Sequence, residues 1–153
     1  MRKSIVRNGA KLLLISVIYR IISYIFLSFS WQWTNVFIRA VEFGIGILFL
    51  GIWLIYGLKK NAGFRKGLMI GIIGASDAIL LIVLSLVLYI NRGSYYFGPI
   101  EMVIWNVPLL GIINQLRFKS DAIIYVAPFL AILLTAVGST LGKSKNYGIQ
   151  KKV

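Results

Sequence analysis

Cysteine and histidine are absent from the chain, and only four acids stand against seventeen Lys and Arg residues. Without Cys there is no disulfide framework and no thiolate nucleophile. Without His there is no imidazole base, metal ligand or switch near neutral pH. Zinc hydrolysis loses its usual nitrogen and sulfur donors, and a Ser-His arrangement loses its base. The acids are four, Glu42, Asp77, Glu101 and Asp121, and an intramembrane aspartyl dyad would need Asp77 and Asp121 side by side. In the topology derived below, Asp77 and Asp121 stand roughly 15 Å apart along the membrane normal. Gly142, Lys143 and Ser144 supply the last letters of a phosphate-binding loop without the glycine-rich stretch that must precede them. The expectation is a protein with no catalytic set, no metal and no cofactor.

Charge in general is scarce. Charged residues make up 14% of the chain and hydrophobic ones 59%, and the mean hydropathy is +0.85, which does not describe a water-facing surface. A bilayer core about 30 Å thick is crossed by about 20 apolar residues in a helix, because a loop or sheet edge would leave backbone groups unpaired in lipid. Four segments qualify: Leu12 to Trp31, Val36 to Leu58, Gly67 to Ile90 and Ala122 to Leu141. The predicted fold class is therefore all-α, a polytopic membrane protein forming a four-helix transmembrane bundle as one integral membrane domain. The basic start of the chain resembles a signal peptide, but the apolar stretch after it is too long and carries Arg20 near its middle, which fits a retained span.

The net charge of +13 is arranged by position. Twelve of the seventeen basic residues fall in three groups of four: Arg2, Lys3, Arg7 and Lys11; Lys59, Lys60, Arg65 and Lys66; Lys143, Lys145, Lys151 and Lys152. With four spans, all three groups lie on one side, and the positive-inside tendency makes that side cytoplasmic, with both termini there. Basic residues gathered at membrane boundaries point to anionic lipid headgroups as partners and away from nucleic acid. The expected location is the cell membrane.

Residues 91–121, on the outer side, are ambiguous. Ile100 to Leu116 is apolar enough for a fifth span but contains Glu101, Asn106, Pro108 and Asn114, and Pro108 would interrupt a helix. A fifth span would also put the Lys-rich tail, 142–153, outside. A re-entrant or interfacial helical element is expected instead, with Trp105 at the headgroup boundary.

Two ionisable residues fall well inside spans, at a cost of roughly 2.5 to 3.5 kcal/mol each on insertion scales. Arg20 and Asp77 should lie about 12 and 15 Å from the cytoplasmic edge, at nearly one depth, and are expected to pair. At 100° per residue, Ser16, Ser23 and Tyr24 share the Arg20 face of the first helix and are candidates to line a polar interior. On the third helix Gly67, Gly71, Gly74, Ala78 and Ser85 form a small-residue seam about 90° round from Asp77. Ala127, Ala131, Thr135, Gly138 and Gly142 repeat the device on the fourth, where Pro128 should bend the helix. Tight contact is expected between these two spans. Arg39 and Glu42, three residues apart on the second span, are expected to pair, and with Glu101, Trp105 and Asn106 could form an outer polar pocket.

Two small-residue seams and no catalytic set suggest a non-enzymatic membrane protein that works through helix contacts, as an accessory or regulatory subunit or a homo-oligomer. The alternative from another class is a transporter or pore component in which Arg20 and Asp77 line a route for protons, ions or small solutes.

Overall fold

The structure is a computed structural model that describes residues 2–30, 36–92, 105–115 and 122–150. Those residues are almost wholly helical, with no strand among them. In chain order the helices are α1 (Arg2–Ser30), α2 (Val36–Lys60), α3 (Phe64–Gly74), α4 (Ser76–Arg92), a 3-10 turn (Val107–Leu109), α5 (Leu110–Gln115) and α6 (Ala122–Gln150). Helices α1, α2 and α6 contain stretches long and apolar enough to cross a membrane, and α3 with α4 makes a fourth if the bent pair is counted as one.

Apolar length and helix length differ at both ends of the chain. The first helix begins at Arg2 and not near Leu12, and the last runs to Gln150 and not only to Leu141. Hydropathy marks the part that prefers lipid. A helix once nucleated propagates cheaply until a breaker stops it, and no proline lies in 2–11 or 142–150. The last helix also continues through buried Pro128.

The expected straight span from Gly67 to Ile90 is broken. Phe64–Gly74 and Ser76–Leu84 are bent by 60°, and Ala75 leaves the helical region at φ −106°, ψ 17°. Glycines at 71 and 74 weaken the helix before the break, and Ser76-Asp77 opens a new one with an acid in its first turn, where the helix dipole favours negative charge.

The helices divide into two compact units. The first contains α1 through Ile15, α2 from Leu50, α3 to Ser76, and α6 from Phe129. Its packing is backbone against backbone. A Cβ on Gly57 would collide with Thr135 O and Ser139 N, one on Gly138 with Leu54 O, and one on Gly142 with Leu58 O. Gly67 and Gly71 press in the same way on α6: a Cβ at either would come within 3.0 Å of a Cα, that of Ala136 or Ile132 respectively. Such close approach supplies dispersion contacts where lipid offers no hydrophobic drive. The seams thus meet more than one partner. Gly67 and Gly71 do face α6, but Gly74 faces Leu12 and Trp53, while Thr135, Gly138 and Gly142 face α2.

Polar groups in this unit close on one another. The Thr135 hydroxyl donates to Ala131 O at 3.1 Å and Trp53 O at 3.4 Å. Tyr56 donates to Asn8 O at 2.9 Å. The turn between α2 and α3 passes through left-handed Asn61 (φ 50°) and Gly63 (φ 82°). It is tied to Ser139, whose hydroxyl accepts from Ala62 N at 3.0 Å and whose carbonyl accepts from Gly63 N at 3.1 Å.

The second unit contains α1 from Ser16, α2 to Phe49, α4, the 105–115 segment and α6 to Pro128. Trp105, Asn106, Val107, Pro108 and Leu109 are buried. Gly111 rests on the backbone of Glu42 and Phe43, and Gly46 on Pro108 O and Ile112. Trp105 is thus enclosed by the chain itself.

Candidate functional site

On α1 the buried positions are Gly9, Leu12, Ser16, Arg20 and Ser23, spaced by three and four as one helical face requires. Arg20 is 9% exposed. Its Nε donates to Ser16 O at 3.3 Å, which folds the side chain back along its own helix, and its terminal NH2 group forms a salt bridge with Asp77 Oδ2. The two charges that the sequence leads one to pair are therefore in contact.

Asp77 reaches this position because it opens α4. Its second oxygen, Oδ1, accepts from Ala78 N at 2.9 Å and from Trp105 Nε1 at 3.3 Å. The Arg20 guanidinium carbon also lies 5.4 Å from the Trp105 ring centre, a cation–π distance. One indole therefore serves both charges, giving its N–H to the anion and its ring to the cation. Further aromatic contacts hold it: Phe49 meets Trp105 edge-on at 5.7 Å, and Tyr19 meets Phe49 at 5.7 Å and donates to Ile45 O at 2.8 Å.

The polar stripe on α1 is narrower than its sequence suggests. Ser16 and Ser23 are buried, but Tyr24 is 57% exposed, so it does not line the interior. The buried face is centred at Ser16, and Tyr24 falls about 80° round from it at 100° per residue. Ser23 spends its hydroxyl on Tyr19 O at 2.8 Å. The Ser16 hydroxyl is buried with no hydrogen-bond partner among the described residues.

The outer-pocket candidates fall in several settings. Trp105 turns to Arg20 and Asp77, Arg39 is exposed, Glu42 is half-buried with its backbone against Gly111, and Asn106 is buried. Glu101 lies outside the described residues, as does Asp121. Sequence reasoning missed Trp105 as the third member of the charge cluster. The available signal was chemical: a buried indole N–H needs an acceptor, and Asp77 is the acid set within a long apolar run.

Ala78 and Ala127 are buried in the second unit, and Ala131 in the first, where its carbonyl accepts from Thr135. Comparison of the chain with protein-family models, with curated proteins and with solved structures finds no match.

Proposed function

We propose that this is a small non-enzymatic membrane protein that acts through helix contacts, as an accessory or regulatory subunit of a larger assembly or as a homo-oligomer. In this reading α3 and α4 form one broken span, giving four spans with both termini and the α2–α3 turn in the cytoplasm. The 105–115 segment is the re-entrant piece, covered by protein. The observation that carries the reading is the closure of the charge cluster. Both Asp77 oxygens and the Arg20 guanidinium are engaged by groups of the chain itself, so the pair serves register and helix placement rather than turnover. The outward faces are apolar, with Leu14, Ile22 and Phe29 among many exposed side chains, which suits lipid or a partner helix.

A second reading, a pore or transporter component, draws on the buried Ser16 hydroxyl without a partner and on the 30% exposure of the Asp77 side chain, both features of a hydrated route. Extraction of the native membrane in mild detergent separates the two. A stable companion or a defined homo-oligomer that survives Arg20→Leu with Asp77→Asn is the expected result. Intact assembly in that double variant together with loss of a measured proton or solute flux would refute the accessory role.

A further inference from the structure

We propose that the start of α3 in the first unit forms a binding site for an anionic phospholipid, its phosphate held by Arg65, Lys66 and Lys143 and an acyl chain laid beside Met69 and Ile72. Two adjoining grooves make the site. One, of about 480 Å³, is lined by Gly63, Phe64 and those three cations, with Ile5 and Met69 on its border. The other, of about 310 Å³, shares Ile5 and Met69 and continues along Val6, Ile72 and Ile73, with almost no polar wall. A charged end joined to an apolar trough is the shape of a lipid with its headgroup in place.

The charge complementarity is specific. Among the described residues no acid lines either groove, and no acid lies in the first turn of α3. Gly63 gives that helix no side-chain cap, so its opening amides add to the positive field. The Lys143 side chain crosses Gly63, where a Cβ would stand 3.3 Å from its Cδ and 3.8 Å from its Nζ, and this carries the ammonium over the start of α3. The turn is held there by Ser139, so the cations are presented by an ordered backbone. A soluble phosphate would leave the apolar trough empty, and exposed Val6, Met69 and Ile72 need a hydrocarbon partner at that level. The site rests on the chain lying in a bilayer and is independent of whether the protein is a subunit or a carrier.

The test uses the full chain, purified in detergent, stripped of lipid and titrated with dioleoyl phosphatidylglycerol or dioleoyl phosphatidylcholine, with bound lipid counted by native mass spectrometry. Phosphatidylglycerol should bind in preference. The triple change Arg65→Gln, Lys66→Gln, Lys143→Gln should weaken its binding by roughly tenfold or more, the scale set by several basic residues at a membrane surface. An equal loss of charge elsewhere, Lys3→Gln, Lys11→Gln, Lys59→Gln, should leave it nearly unchanged. Met69→Gln with Ile72→Gln should weaken the long-chain lipid, and this pair keeps the test decisive if the triple variant fails to fold. Equal loss in the two triple variants, or equal binding of both lipids, overturns the site. Displacement of the lipid by inorganic phosphate, with no effect of the trough variants, assigns the groove to a free anion and also overturns it.

Discussion

Trp105 and Arg20 stack with 5.4 Å between guanidinium carbon and ring centre, while the same indole donates its N–H to Asp77. An aromatic beside the ion pair serves both charges, with Arg20 buried and Asp77 partly so. It also ties the segment that begins at Trp105 to the helix that begins at Ser76, although 28 residues separate Trp105 from Asp77. The cluster thus fixes three elements of the second unit at one point.

Removing one member should cost more than removing two. Arg20→Leu leaves a mostly buried carboxylate without its cation, at about 3 kcal/mol, the low end for a broken buried pair because Asp77 keeps some exposure. Adding Asp77→Asn should restore most of that. Unfolding of detergent-solubilised protein, followed by tryptophan fluorescence, measures it, and a double variant no more stable than Arg20→Leu alone would show that the two groups do not compensate each other.

Trp105→Phe keeps an aromatic face for Arg20 and removes the N–H to Asp77. The expected loss is about 1.5 kcal/mol, that of a hydrogen bond to a charged group. Trp105→Ala, which also empties a fully buried ring site, should lose about 3 kcal/mol or more. Equal losses in the two variants would mean that the hydrogen bond dominates and the ring packing contributes little.

Glycines on α2 should separate sharply by what faces them. Gly57→Ala meets α6 backbone and should cost about 2 kcal/mol or more, since backbone cannot swing aside. Gly44→Ala and Gly51→Ala meet nothing within 4 Å and should be neutral or stabilise by up to about 1 kcal/mol through helix propensity. Thermal unfolding of the three variants in one detergent gives the comparison directly.

Absence of native cysteine makes topology easy to read. Single variants Ala62→Cys and Ser144→Cys should be shielded from an impermeant thiol reagent added outside intact cells, and Ser94→Cys and Ser120→Cys should react. Labelling of position 144 from outside would replace four spans by five and move the C-terminus.

Much of this is legible in the amino-acid sequence. The apolar runs located the long helices because lipid demands internal hydrogen bonding over a set length. Arg20 and Asp77 stand out because a charge within a long apolar run needs a partner. Tyr24 was misplaced for a simpler reason: a helical wheel tells which residues are neighbours but not where the buried arc is centred. For Trp105 the sequence offers only an aromatic in a part-apolar segment, and packing of Gly46 and Gly111 against neighbouring backbone reveals that the segment is covered.

Composition and spacing by themselves determined that the long apolar helices suit a bilayer, that basic residues gather at their ends, and that glycine and alanine mark close approach. The tertiary structure decided where the third apolar run breaks, which places Asp77 at a helix start instead of in a helix middle. It also decided that the small residues of α6 serve two neighbours, α2 and α3. The physical reason is that periodicity orders side chains only along one straight helix. A 60° bend resets the register, and a glycine records that something comes near without recording what.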